Sequence, residues 1–253
     1  MTFVKDTPPA PAVYYPDSDG KPMADNTLQF EWITLLKENL EVLFAEDSNV
    51  FVAGDLLWYP VEGHPEIAKA PDVLVVLGRP KGYRGSYQQW QEAGIAPQVV
   101  FEILSPSNTR REMSQKLMFY HQYGVEEYYT YDPASFDLRG WIRTDGILEE
   151  QDDLQGWVSP RLGIRFELES TGLEIVDPQG QPFLTTLQRE RQRQEADRRA
   201  QEADRRAQEE AQRAQQEAQR AQEETQRAEQ ERQRADRLAA HLASLGIDPD
   251  RIP

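Results

Sequence analysis

An α/β fold with an appended helix is the class this chain predicts, on three observations. Short apolar runs such as Val73-Leu74-Val75-Val76 and Val99-Val100-Phe101 read as buried strands. Stretches with helical spacing alternate with them, and that alternation is best satisfied by a sheet flanked by helices. From Gln188 onward a seven-residue repeat of Ala, Gln, Glu and Arg takes over, all of them strong helix formers. The chain of 253 residues therefore divides into an extended arm over 1–22, a globular domain over 23–187, a charged heptad-repeat helix over 188–245 and a tail over 246–253.

Each element has a local reason. Residues 1–22 are rich in Pro, Asp and Gly, which favours extended chain. Asn26 or Thr27 can cap a helix running to about Ala45, with Phe30, Ile33, Leu36 and Leu40 as its apolar stripe. Val50 to Tyr59 reads as one strand, and the run after Asp72 as the next. Residues 78–97 lack periodicity and read as a long loop with one helical turn, a length that marks them as functional suspects. The Glu102 strand follows. Thr109 and Glu112 have capping-box spacing, so a helix should start there and run to Tyr123 before Gly124, burying Met113, Leu117 and Tyr120. Tyr128 to Tyr131 and Leu138 to Arg143 read as strands, with two more between Gly156 and Val176.

The repeat places Ala at most seam positions, including Ala200, Ala207, Ala214, Ala221, Ala228 and Ala235, and pairs Glu195/Arg199, Glu202/Arg206 and Glu209/Arg213 at i,i+4. An Ala seam is weaker than a Leu seam by about 2 kcal/mol per position. A long solvated helix or weak coiled coil is expected, ending before Gly246. Leu238, Leu242 and Leu245 form its one greasy seam, and a homodimer stays open.

Composition excludes several classes. No apolar stretch is long enough to span a bilayer, and the N-terminus lacks a signal-peptide pattern, so a cytoplasmic protein with no membrane partner is expected. The absence of cysteine excludes a disulfide framework and a thiolate zinc site. His64, His121 and His241 are far apart, so any metal is held by oxygen, which points to Mg²⁺ or Mn²⁺. The net charge of −16 argues against nucleic acid, but the distribution softens that. Residues 188–237 are neutral, residues 1–187 carry −15, and within them residues 69–116 carry +3.

That least acidic segment holds the two most informative residues, Asp72 and Glu102. Each lies at or inside an apolar strand, where a carboxylate is costly unless paired. Two carboxylates on neighbouring strands repel one another unless a cation lies between them. Hydrolysis of a phosphodiester uses that arrangement, which makes a nuclease the leading reading. Lys69, Arg79, Lys81 and Arg84, with Tyr83, Tyr87 and Trp90 interleaved, are candidates for contact with phosphates and bases, as are Arg110 and Arg111. A solvated loop with aromatic anchors explains the same residues equally well.

Pro71-Asp72 followed by Glu102-Ile103-Leu104-Ser105-Pro106-Ser107 resembles the PD-(D/E)XK nuclease superfamily, and within it the large bacterial family of putative restriction endonucleases. Asp19-Gly20-Lys21-Pro22-Met23, Lys116 to Tyr120, Gly124 to Tyr128 and Tyr131-Asp132-Pro133 extend the resemblance over about residues 15–185. It implies a restriction-endonuclease-like core with a central mixed sheet flanked by helices, and a metal-dependent endonuclease. Asp72 and Glu102 would hold Mg²⁺ or Mn²⁺. A third acid would come from the first helix or the strand after it, with Asp25, Glu31 and Asp55 as unranked candidates. The substrate would be nucleic acid, with DNA foremost. In the superfamily a lysine two residues after the Glu helps activate water, and this chain has Leu104 there. The resemblance implies that Lys116 on the following helix takes that role; without it, an exposed Glu112/Lys116 pair is the simpler account. The alternative function is a non-catalytic interaction protein that keeps the fold and works through its long helix.

Overall fold

The computed structural model describes residues 13–20 and 22–245. The rest of the expected arm, the 246–253 tail and the stop at Gly246 lie outside the described residues. The elements are α1 (Thr27–Leu43), β1 (Val50–Gly54), β2 (Trp58–Tyr59), β3 (Val73–Leu77), β4 (Tyr87–Gln88), a 3-10 turn (Gln89–Gln91), β5 (Val99–Ile103), α2 (Arg110–Tyr123), β6 (Glu127–Asp132), β7 (Asp137–Thr144), β8 (Ile147–Glu150), β9 (Arg165–Glu169), β10 (Gly172–Val176) and α3 (Thr186–Ser244).

Six strands form a mixed sheet in the order β1-β3-β5-β6-β7-β8. The β5–β6 pair is parallel, so the chain must cross over between them, and α2 is that crossover. Strand residues alternate between two apolar layers. Val52, Val75, Val99 and Phe101 face α1 through Ile33, Leu36 and Leu40, together with Phe166 and Ile175 of the β9–β10 hairpin. Phe51, Leu74, Val100 and Tyr128 face the other way, toward Tyr120 of α2 and toward Trp58. Burial on both faces explains why these strands read as continuous apolar runs.

Caps act as expected. Asn26 accepts a hydrogen bond from the Gln29 amide at 2.9 Å, and Thr109 accepts one from the Glu112 amide at 3.2 Å. Gly124 ends α2 in the left-handed region with φ 95. The expected α1 stripe is displaced at one place: Phe30 is 50% exposed. The buried row is Gln29, Ile33, Leu36 and Leu40, and Phe30 lies one residue, about 100°, off its start.

The expected single strand from Val50 to Tyr59 is two. Asp55, at φ 49, is left-handed and ends β1, and β2 leaves the main sheet to pair in parallel with β4. The expected loop over 78–97 contains that β4 strand and the 3-10 turn. Strand β8 was not expected, because Ile147-Leu148-Glu149-Glu150 is short and half acidic.

Contacts divide the chain after Gln188. Helix α3 has 59 residues, none of them buried. Its Glu195/Arg199 pair forms at 3.8 Å, whereas Glu209 pairs with Arg205 at 3.8 Å rather than with Arg213. Such exposed pairs contribute a few tenths of a kcal/mol each. Deleting residues 189–253 should therefore move the melting temperature of the remaining domain by no more than about 2 °C. A larger drop in differential scanning calorimetry would show that α3 supports the core.

Candidate functional site

Sheet register builds the site. β3 and β5 are antiparallel with Val73 opposite Phe101 and Leu74 opposite Val100, so one residue further on Asp72 stands opposite Glu102. β1 and β3 pair Gly54 with Val73, and the same continuation sets Asp55 beside Asp72, whose carbonyl accepts the Asp55 amide at 3.2 Å. Three carboxylates thus form a row across three neighbouring strand ends, on the face that α2 covers.

Their surroundings differ. Glu102 is 2% exposed, and both of its oxygens are engaged from α2. Lys116 Nζ donates to Oε2 at 2.6 Å, and Tyr120 donates its hydroxyl to Oε1 at 2.5 Å. Lys116 and Tyr120 are one helical turn apart, so they reach the same carboxylate from one face. Asp72, 8% exposed, accepts the Ile103 amide on Oδ2 at 2.6 Å. Burial pushes its carboxyl well above the usual range, and the neighbouring Glu102 charge adds to this, while Lys116 and the Ile103 amide only partly offset it. Asp55 is also pushed up, by burial and then by Asp19. For Lys116, burial works against the charged form, but Glu102 and Asp72 outweigh it and raise its pKa.

Asp55 and Asp72 line a cleft of about 600 Å³, and Glu102 lies buried behind them, joined to the cleft through Lys116. Pro16, Asp19 and Asp25 are on its walls, with Asp55, Asp72 and Lys116 facing them. Of the candidate third acids, Asp55 joins the row. Asp25 lines the cleft but is held by the hydroxyls of Ser105, at 2.7 Å, and of Ser107. Glu31 lines a different groove, with Trp32 and Glu174. Among the described residues no group of three or more His, Asp or Glu is gathered as a ready-made metal cage. Asp72 and Glu102 offer hard carboxylate oxygens, and Mg²⁺ is ordinarily held through one or two carboxylates with water completing its shell, so this donor set fits that ion.

The basic residues divide sharply. Lys116 pairs with Glu102, so the simple Glu112/Lys116 pair is not what forms. Lys69 lines the cleft. Arg79 and Arg84 are both bound to Glu92, at 2.7 and 2.6 Å, and Arg84 lies 3.9 Å over the Phe51 ring. Lys81 donates to the Phe44 and Ala45 carbonyls just past the end of α1. Those three hold the loop together and do not reach the cleft. Tyr87 is buried, with its hydroxyl on the Ile95 carbonyl at 2.7 Å, so it too is an anchor. Arg110 and Arg111 are exposed in the first turn of α2.

Sequence reasoning missed two cleft residues, Asp19 and Gln29, and the buried Tyr120 behind Glu102. Asp19 lies in the Asp-Gly-Lys motif, which was the available signal. Tyr120 follows Lys116 at i+4 and was read only as core. Gln29 lines the cleft and donates to the Ile103 carbonyl at 2.8 Å, with no signal in the sequence.

A family model for Uma2, described as putative restriction endonuclease, matches residues 20–175. The chain belongs to the Uma2 family. The match begins at Gly20 and ends on β10, so it takes in the whole carboxylate row and excludes α3. Among solved structures, the chain is similar to a putative nuclease belonging to DUF820 from Anabaena variabilis, at 14% identity and TM-score 0.41, over 55% of this chain and 74% of that one. A comparison with curated proteins returns no match.

Two outcomes follow from this geometry in the Uma2 site. Tyr120→Phe keeps the ring stacked on Trp58 (centroids 6.3 Å, 2°) and removes only the hydroxyl. A hydrogen bond to a charged group contributes about 1.5–3 kcal/mol, so urea unfolding should register a loss of about 2 kcal/mol. Asp72 is an acid whose folded value lies above its unfolded one, so its contribution to stability is full at low pH and lost as pH rises through the raised value. In the absence of metal, Asp72→Asn should therefore be more stable than the parent at about pH 8 and lose that advantage toward about pH 4. Equal stabilities across that range would show that Asp72 titrates normally.

Proposed function

We propose that this chain is a divalent-metal-dependent nuclease that hydrolyses nucleic-acid phosphodiester bonds, with DNA as the leading substrate. Membership of the Uma2 family supports the nuclease class. The observation that carries the finer reading is the pair Asp72 and Glu102 on facing strand ends, with Lys116 Nζ 2.6 Å from Glu102.

In this reading Asp72 and Glu102 hold Mg²⁺ or Mn²⁺. The bound ion supplies Lewis acidity at a phosphate oxygen and a lowered pKa for water. Tyr120 fixes the plane of the Glu102 carboxylate through its hydroxyl. Lys116, kept protonated by two neighbouring carboxylates, presents positive charge and a hydrogen bond where charge grows on the phosphate. It is a poor proton acceptor in that state, so it orients and stabilises rather than deprotonating the attacking water. Asp55 lies beside the pair and can take a hydrogen bond from water.

A second reading, an interaction protein that keeps the fold and works through α3, is favoured by that helix's 59 residues without one buried side chain. Calorimetric titration with Mn²⁺ separates the two. The nuclease reading expects binding that Asp72→Ala abolishes; identical titrations of parent and variant would sink it. In a cleavage screen over DNA and RNA, Lys116→Ala should lower the rate by about a hundredfold or more with the fold intact by circular dichroism. A wild-type rate would remove Lys116 from the mechanism.

A further inference from the structure

The carboxylates lie deep. Asp72 is buried at the floor of a cleft, with Glu102 buried behind it, and the walls are Pro16, Asp19, Pro22 and Asp25 on one side and Glu112 and Lys116 of α2 on the other. A scissile phosphate must descend between those walls to reach them. Duplex DNA is a stiff rod with a persistence length of about 150 base pairs, and bending it into a pit is costly. A single strand bends freely.

Charge points the same way. Residues 1–187 carry −15. Arg79 and Arg84 are both tied to the Glu92 carboxylate, and Lys81 is held on backbone carbonyls beyond α1, so none of the three reaches the cleft. A duplex presents about one phosphate charge per 1.7 Å of axis and a single strand about half that density, so this acidic surface repels the single strand less.

Aromatic rings lead outward from the cleft. Tyr59 lines it, and Tyr15 packs edge-on against Tyr59 at 5.2 Å. Tyr15 also meets Trp90 at 4.9 Å. Tyr15, Trp90 and Tyr14, the last 79% exposed, line a second, open hollow of about 550 Å³ with Gln88 and Gln91. Glu62 is there too, which disfavours a phosphate and leaves the ring faces for bases. Stacking on such rings tolerates any base, and it binds without needing cations.

We infer that the substrate is a single strand of nucleic acid, with its scissile phosphate at Asp72 and Glu102 and its flanking bases stacked on Tyr14 and Trp90. This rests on the nuclease reading of the cleft, and the test separates the two. Full-length protein is titrated in Ca²⁺ against a labelled single strand of about 12 nucleotides and against the duplex of the same sequence, by fluorescence anisotropy. The same two molecules are then incubated with Mn²⁺ and with Mg²⁺.

The single strand should bind at least about tenfold tighter than the duplex, and Tyr14→Ala and Trp90→Ala should each weaken it by about tenfold. Trp90→Phe, which keeps a ring against Tyr15, should restore most of the affinity. Tyr14 is exposed, so its variant folds even if Trp90→Ala does not. Duplex binding as tight as single-strand binding, or a Tyr14→Ala variant that binds like the parent, would overturn the inference. If duplex is bound and cut, the nuclease reading stands and this one falls. If the single strand binds through the rings and is cut with neither ion, the nuclease reading falls, and with it the scissile phosphate at Asp72, while single-strand binding on Tyr14 and Trp90 stands. If neither nucleic acid binds, both fall.

Discussion

The burial of Glu102 is the constraint around which the domain is arranged. An unpaired carboxylate in the middle of a sheet would cost several kcal/mol, so two partners must be brought to it. Both come from one helix, Lys116 and Tyr120 on successive turns of α2. The helix can present them only if it crosses back over the sheet between β5 and β6, and that crossover makes the β5–β6 pair parallel in a sheet whose other pairs are antiparallel. The aromatic layer around Tyr120, with Trp58 stacked on it and Tyr128 tilted against it, then seals the carboxylate from water on the side away from the cleft.

Other buried polar groups follow the same rule and tie together parts distant in sequence. Gln29 links α1 to the end of β5 through the Ile103 carbonyl, and Asp72 holds the Ile103 amide from the other side. Asn39 exchanges two hydrogen bonds with the backbone of Leu184. Glu127 gathers the Tyr129 and Ser159 hydroxyls and the Arg161 amide, which fastens the 157–165 segment to the sheet. In each case a polar side chain that looks misplaced among apolar neighbours proves to have its partners supplied by another element.

That rule also explains what could be read from sequence. The strands around Asp72 and Glu102 were legible because apolar runs of that length, flanked by Pro and Ser, have few other uses. The caps of α1 and α2 were legible because they are local, three residues from donor to acceptor. The break at Asp55 was not, since one left-handed residue inside Val50–Tyr59 leaves the apolar pattern intact. Arg79 and Arg84 misled because their partner, Glu92, lies 13 and 8 residues away, beyond any helical spacing. Tyr120 hid among core residues because a phenol at an apolar position is ordinarily only core, and its hydroxyl's partner sits 18 residues upstream.

The position of β5 has a consequence for motion. Flanked by strands on both sides, covered by α1 on one face and α2 on the other, it is the part of the domain that opens last in local unfolding, and its amides should exchange with solvent only through near-global opening. Glu102 is carried on that strand, and Asp72 is clipped to its final amide. The carboxylate end of the cleft is therefore fixed by the strand that opens last, whereas Pro16, Asp19, Pro22 and Asp25 on the facing wall belong to no strand or helix. A floor tied to the best-protected strand keeps its carboxylates in register whatever the loops around it do.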